Sequence, residues 1–153
     1  GKEERATANL CTPGTAVIFK NKLDYTHCIP SDSKTYHGDQ WVHVEAIILG
    51  GESITHIVEN DTVLKYKAPQ IDDAFISKSS QGKDWDVFGV SNKEDWITKK
   101  GEIITEGYIA LQAESHPIDF KNIELLDLCG CMDTKAVNYK SYYLKSAPNT
   151  CIY

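Results

Sequence analysis

No GxSxG, no Walker loop, no GxGxxG and no HExxH occurs anywhere in the 153 residues. Their absence argues against α/β-hydrolase chemistry, phosphate cradling, dinucleotide binding and the helical zinc-protease site. Basic runs are equally scarce, and 22 acidic against 16 basic residues give a formal net charge of −6. This disfavours a general affinity for nucleic acid or for an anionic membrane, so the expected partners are small and neutral, or protein. No apolar run approaches the roughly 18 residues of a membrane span. The first residues also lack the charged and apolar regions of a signal peptide, and the chain reads as mature or trimmed. A sustained helical period is missing throughout.

What is present is strand chemistry. A hydrophobic content of 41% with 25% charged residues suits one globular domain, here expected over 1–128, with a tail over 129–153. From Thr15, "TAVIFKNKLDYTHC" reads as strand, tight turn and strand. That hairpin would bring Cys11 and Cys28 to its open end, where a disulfide would staple it. "QWVHVEAIILG" alternates strictly and stops at Gly50-Gly51, "SITHIVEN" follows, and an Asn-Asp turn leads into "TVLKYKAP". Three sequential antiparallel strands are the expectation. "EGYIALQAESHPIDFKNIELLDL", residues 106–128, alternates, breaks at Ser-His-Pro and alternates again, which predicts another hairpin. Residues 69–105 mix Phe75, Trp85, Phe88 and Trp96 with polar residues and read as a loop or short-helix insertion. Repeated strands with turn chemistry between them indicate an all-β sandwich or jelly roll.

Five cysteines are an odd number, and the close pair "CGC" lacks paired zinc knuckles. Disulfides in an oxidising compartment are the better reading, which places the protein in the periplasm, outside the cell or at its surface.

Alternation splits each strand into two faces. In "WVHVEAIIL" the apolar set Val42, Val44, Ala46 and Ile48 is expected to be core, leaving Trp41, His43 and Glu45 on the other side. In "YIALQAES" the expected core is Ile109, Leu111 and Ala113, leaving Tyr108, Gln112 and Glu114. Aromatic rings beside carboxylates, amides and imidazoles suit carbohydrate, because rings stack on C–H faces while polar groups meet hydroxyls. Carboxylates and imidazoles also serve acid/base chemistry, making Glu45, Glu114, His43 and His116 candidates. His56, in phase with Ile54 and Val58, reads first as a satisfied core histidine, and as a site residue if that face is concave. His27 and His37 sit at loop edges. The histidines and glutamates could serve a divalent metal, but no local ligand motif calls for one.

"GDQWVHVEAIILGGESITHIVENDTVLKYKAP" resembles the strand core of the 3-keto-disaccharide hydrolase domain family. "EGYIALQAESHPIDFKNIELLDL" resembles that family's closing signature, Gly-Tyr-Ile-x-Leu-Gln-x-Glu followed by Pro-Ile-x-Phe-(Arg/Lys)-Asn-Ile. "LCTPGTAVIF" and "HCIPSDSKTYHGDQW" are similar to a secreted Bacteroidetes-type subgroup. The resemblance implies a concanavalin A-like jelly roll and hydrolysis of 3-keto-glycosides, in which the ketone acidifies the C2 proton so that a base starts elimination of the glycosidic substituent. That route differs from the two-carboxylate path of ordinary glycosidases. It also implies that Gln112, Glu114 and His56 occupy motif positions. In the family Asn-Gly stands where Asn60-Asp61 stands here, and the family's opening strands are not found in these residues, so another chain supplying them is one expectation. "GCMDTKAVNYKSYYLKSAPNTC" resembles a short cysteine motif appended to secreted Bacteroidetes proteins, which implies a Cys131–Cys151 pair and leaves Cys129 over. Catalysis, non-catalytic carbohydrate binding and a structural role in a larger assembly are the three functions weighed.

Overall fold

The computed structural model describes residues 3–74, 91–113 and 116–153. Two compact units emerge, Gly1–Gly107 and Tyr108–Tyr153.

In the first unit the strands are β1 (Leu10–Cys11), β2 (Thr15–Phe19), β3 (Lys22–Asp24), β4 (Cys28–Ile29), β5 (Val44–Ile48), β6 (Ile54–Val58) and β7 (Asp61–Ile71). Five of them form one antiparallel sheet in the order β3-β2-β7-β6-β5, while β1 and β4 make a separate two-stranded ladder. The architecture is all-β and antiparallel, with one short helix α1 (Lys93–Thr98) among the described residues of this unit, in keeping with a jelly-roll sandwich class. Turn chemistry explains the connections. Lys20 and Asn21, at φ 48° and 62°, close β2 onto β3, and Glu59 and Asn60, at φ 52° and 85°, close β6 onto β7. Two left-handed residues in succession match the twist of the flanking strands, which is why short hairpins use them.

β7 is long enough to serve β6 along its first half and β2 along its second. Both ladders need one extra β7 residue, at Val63 and at Ala68, and Ala68 takes a positive φ of 51° while its N–H donates to the Gly51 carbonyl at 2.7 Å. Such bulges bend and twist a strand. They let β7 join the two halves of the sheet.

Cross-strand register sets the faces. Val44 lies opposite Val58, Ala46 opposite His56 opposite Leu64, and Ile48 opposite Ile54 opposite Tyr66, so all of these share one side. Val17, Ile29, Ile54, Leu64 and Tyr66 form the core there, with Leu10 and Phe19 against it. Leu10 and Ile29 come from the β1–β4 ladder, which thus acts as the second layer. The Cys11–Cys28 disulfide joins opposite positions of that ladder, as the hairpin reading expected.

The β5 apolar set is a partial correction. Its phase is right, yet Val44 and Ile48 are 48% and 37% exposed and Ala46 is exposed too. β5 is the edge strand, and the covering layer draws on residues beside β2, β6 and β7. α1 is tied to the residues before β2 by Trp96, whose indole N–H donates to the Gly14 carbonyl at 2.6 Å. Gly14 has φ +83°, and a Cβ there would stand 2.8 Å from the Trp96 indole nitrogen. Only glycine meets both demands.

In the second unit, residues 108–113 and 116–128 form no strand, and Ile109, Leu111, Ile123 and Leu125 are exposed. The expected hairpin and its buried Ile109 and Leu111 are therefore not observed. Alternation makes a segment able to be a strand, but a strand exists only where a neighbouring backbone completes its ladder.

The rest of this unit is ordered by β8 (Cys129–Gly130) and β9 (Lys145–Ser146), a parallel pair, and by a single 3₁₀ turn at Pro148–Thr150. Cys131, fully buried, is bonded to Cys151, and Cys129 is free and exposed. Asp133 closes a turn by accepting from the Lys135 N–H at 2.9 Å, Ala136 is buried inside it, and Asn138 donates to the Thr150 carbonyl and accepts from the Ile152 N–H. Those polar side chains do the work that a hydrophobic core cannot do in so short a segment.

Candidate functional site

His56 is the sequence-chosen residue with the most definite surroundings. It stands in the middle of β6 on the core side, half-buried, between Ala46 of the open edge strand and Leu64 of the covered part of the sheet. Its Nδ1 lies 2.8 Å from the Ala8 carbonyl oxygen and its Nε2 lies 3.1 Å from the Tyr66 hydroxyl. A carbonyl can only accept, so Nδ1 carries the proton. In the neutral ring Nε2 is then a lone pair, and the Tyr66 hydroxyl donates to it. The two rings meet edge to face, with centroids 5.3 Å apart and planes at 82°.

Burial pushes the Tyr66 hydroxyl up to about 12, so this phenol keeps its proton across the neutral range. The result is a line of hydrogen bonds from backbone carbonyl through imidazole to phenol. Beside it, Val44, Ala46 and Ile48 make an apolar shelf that is left partly exposed.

Ala8 reaches His56 because the segment before β1 is fastened to residues 31–35. The Arg5 and Thr7 N–H groups donate to Thr35 Oγ1 and Ser33 Oγ, each at 2.6 Å. The Ser31 hydroxyl donates to the Thr7 carbonyl at 2.5 Å, and the Asn9 side chain accepts from the Ser31 N–H at 3.0 Å. Ala8 itself sits at φ 62°, the left-handed region that an L-alanine enters at a cost of about 1–2 kcal/mol. A cleft of about 410 Å³ lies farther along the same segment, between Glu4–Ala6 and Ser33–Thr35 with His37, and does not include His56.

Glu45 stands on β5 on the side away from the core, His43 just ahead of the strand pairs with it, and Trp41 lies two residues before His43. His43 Nδ1 is 3.5 Å from Glu45 Oε1, and the His43 N–H donates to Glu59 Oε1 at 2.7 Å. All three side chains are well exposed, Trp41 at 58%. In the second unit Tyr108, Gln112 and His116 are exposed, and Glu114 lies outside the described residues. Among the described residues no three His, Cys, Asp or Glu side chains converge as a metal-binding group.

Sequence reading missed Tyr66 and the Ala8 carbonyl. Tyr66 did carry a signal, since it alternates in phase with Leu64, and a buried tyrosine needs a partner for its hydroxyl. The bulge at Val63, which brings Leu64 rather than Val63 opposite His56 and so sets Tyr66 within reach, has no such signal.

Residues 1–126 match a family model described as a 3-keto-alpha-glucoside-1,2-lyase-like domain. No curated protein sequence matches the chain, and no solved structure does.

Proposed function

Because the chain belongs to the 3-keto-alpha-glucoside-1,2-lyase-like domain family, a carbohydrate-active family, we propose that it cleaves 3-keto-glycosides by elimination across C1–C2 of the sugar, followed by hydration. The observation that carries this reading is His56, bonded at both ring nitrogens and placed where the covered face of the sheet meets the open apolar shelf. The shelf offers a surface for the C–H face of a sugar ring, and the imidazole–phenol pair offers a base next to an acid.

A ketone at C3 acidifies the C2 proton. Neutral His56 takes it at Nε2 as the Tyr66 hydroxyl turns to the glycosidic oxygen. The C2–H electrons become the C1=C2 bond, the C1–O bond breaks, and the departing oxygen takes the Tyr66 proton. The imidazolium then returns a proton to the phenolate, so both side chains end as they began. Water adds its hydroxyl to C1 and its hydrogen to C2 of the unsaturated ketone, giving net hydrolysis. On the Gln-x-Glu motif alone, Glu114 and the nearby His116 are proposed as acid/base groups and Gln112 and Tyr108 as sugar contacts.

A second reading rests on Trp41, His43 and Glu45: an exposed indole and an exposed imidazole–carboxylate pair close in sequence would bind glycan without chemistry. A third, in which strands from another chain complete an assembly, draws on the strandless residues 108–113 and 116–128. An external address, periplasmic or secreted, accords with the two disulfides.

The deciding experiment incubates the protein with a 3-keto-glucoside and the corresponding ordinary glucoside, with and without chelator. Wild type is compared with His56→Gln, Tyr66→Phe and Glu114→Gln. Aglycone released from the keto substrate alone, and lost in His56→Gln, is the expected result. Glycan binding without release, weakened by Trp41→Ala, would replace the enzyme with the binding module.

A further inference from the structure

A backbone carbonyl that fixes a histidine tautomer must itself be fixed. Ala8 lies in a segment with no strand pairing of its own, ahead of the two-residue β1. Both backbone groups of the preceding residue are nevertheless held, and by the same two serines. Ser33 Oγ accepts from the Thr7 N–H at 2.6 Å and lies 3.0 Å from the Thr7 carbonyl, which also accepts from Ser31 Oγ at 2.5 Å. The serines brace each other, since the Ser33 N–H donates to Ser31 Oγ at 3.2 Å. On the other side of Ala8, the Asn9 side chain accepts from the Ser31 N–H.

Ser31 is 7% exposed, one of two polar residues buried among those described. It spends its hydroxyl and its amide on the residues flanking Ala8. Fastening the segment alone does not require this, because Thr35 already holds the Arg5 N–H and β1 holds Leu10 and Cys11. What the double clasp adds is orientation: it keeps Ala8 in its left-handed conformation, with the carbonyl turned onto His56 Nδ1.

We infer that Ser31 and Ser33 are positioning residues for His56, holding the Ala8 carbonyl so that the imidazole is protonated at Nδ1 and presents Nε2 as the lone pair. The value of this positioning to catalysis rests on the elimination reading above. The tautomer itself does not, and it can be read without any substrate.

The test uses the whole chain with its disulfides intact. Ring ¹⁵N shifts of His56 are recorded for wild type, Ser33→Ala, Ser33→Thr and Ser31→Ala with the ring neutral, alongside kcat and KM on the 3-keto-glucoside. Wild type should show the Nδ1–H tautomer. Ser33→Ala and Ser31→Ala should shift the ring toward a tautomer mixture and lower kcat about ten-fold or more with KM little changed, a fraction of what general acid/base catalysis contributes. Ser33→Thr, which keeps the hydroxyl, should restore both. Should an alanine variant lose cooperative thermal unfolding, Ser33→Thr and Ala8→Val carry the decision, because a β-branched residue opposes the left-handed φ that aims the same carbonyl, without touching a serine. Wild-type ring shifts retained in Ser33→Ala, Ser31→Ala or Ala8→Val would overturn the inference. A tautomer that moves as expected in a protein with no turnover would leave the positioning intact and remove the elimination reading instead.

Discussion

Replacing Tyr66 by phenylalanine removes one oxygen from the centre of the site and leaves the ring in the core. At neutral pH the change should destabilise the protein by about 1–3 kcal/mol, because the half-buried His56 Nε2 loses its partner. The pH dependence is the sharper consequence. Folding moves the phenol from the ordinary tyrosine value of 10.0 to about 12. A group whose folded pKa is raised gives stability that is fully present below its unfolded pKa and lost as pH rises through the folded one. For Tyr66 the window therefore opens near 10 and closes near 12. Within it the unfolded chain releases a proton that the folded chain keeps, which near pH 11 amounts to about 1.4 kcal/mol. Urea unfolding of wild type and Tyr66→Phe at neutral pH and at intervals up to pH 11 isolates this residue from the other tyrosines. The wild-type advantage should shrink by that amount on the alkaline side. A stability difference that stays constant from neutral pH to pH 11 would refute the burial of the phenol, and with it the donor role assigned to its hydroxyl.

Gly130→Ala should destabilise the second unit, since a Cβ there would run into the Tyr143 ring; loss of near-ultraviolet tyrosine signal with retained first-unit structure is the readout. Gly14→Ala combines a positive φ with a collision against Trp96 and should cost about 1–3 kcal/mol, visible as a lower midpoint in denaturant and as altered Trp96 fluorescence. Cys131→Ser with Cys151→Ser opens the cross-link of the second unit and should cost that unit about 3 kcal/mol, checked by proteolysis of residues 129–153. The Lys135 N–H, followed by the Tyr153 hydroxyl, holds Asp133 below the usual carboxylate range. Its contribution is present above the unfolded carboxylate pKa and lost as pH falls through the lower folded value, so the Tyr153 contact should loosen in acid, and Asp133→Asn should abolish that acid dependence.

The sheet was legible because its information is local. The expected Asn-Asp turn lies one residue earlier, at Glu59 and Asn60 with Asp61 opening β7, but the strict alternation of Ile54, His56 and Val58 does announce which side chains share a face. The Cys11–Cys28 link followed from the hairpin between them, and the Cys131–Cys151 link from the resemblance of the tail motif. What could not be read depends on what lies across from a strand. Val44, Ala46 and Ile48 have a core pattern but belong to an edge, and Ile109 and Leu111 have a strand pattern without a ladder. The site was half legible for the same reason. His56 stood out as a histidine in phase with a core face, whereas its partners come from a carbonyl 48 residues away and from a tyrosine brought into reach by a bulge.

The Cys11–Cys28 bond has a reach as well as a strength. Ala8 is three residues from Cys11, and three residues of chain span at most about 10 Å, so the covalent knot confines the carbonyl on His56 to a small volume even when its hydrogen bonds open. Reduction would lengthen that tether at once. The same sequence in a reducing solution would keep His56 and Tyr66 and lose the leash that returns the carbonyl to its imidazole, which ties this hydrogen-bonded geometry to an oxidising environment.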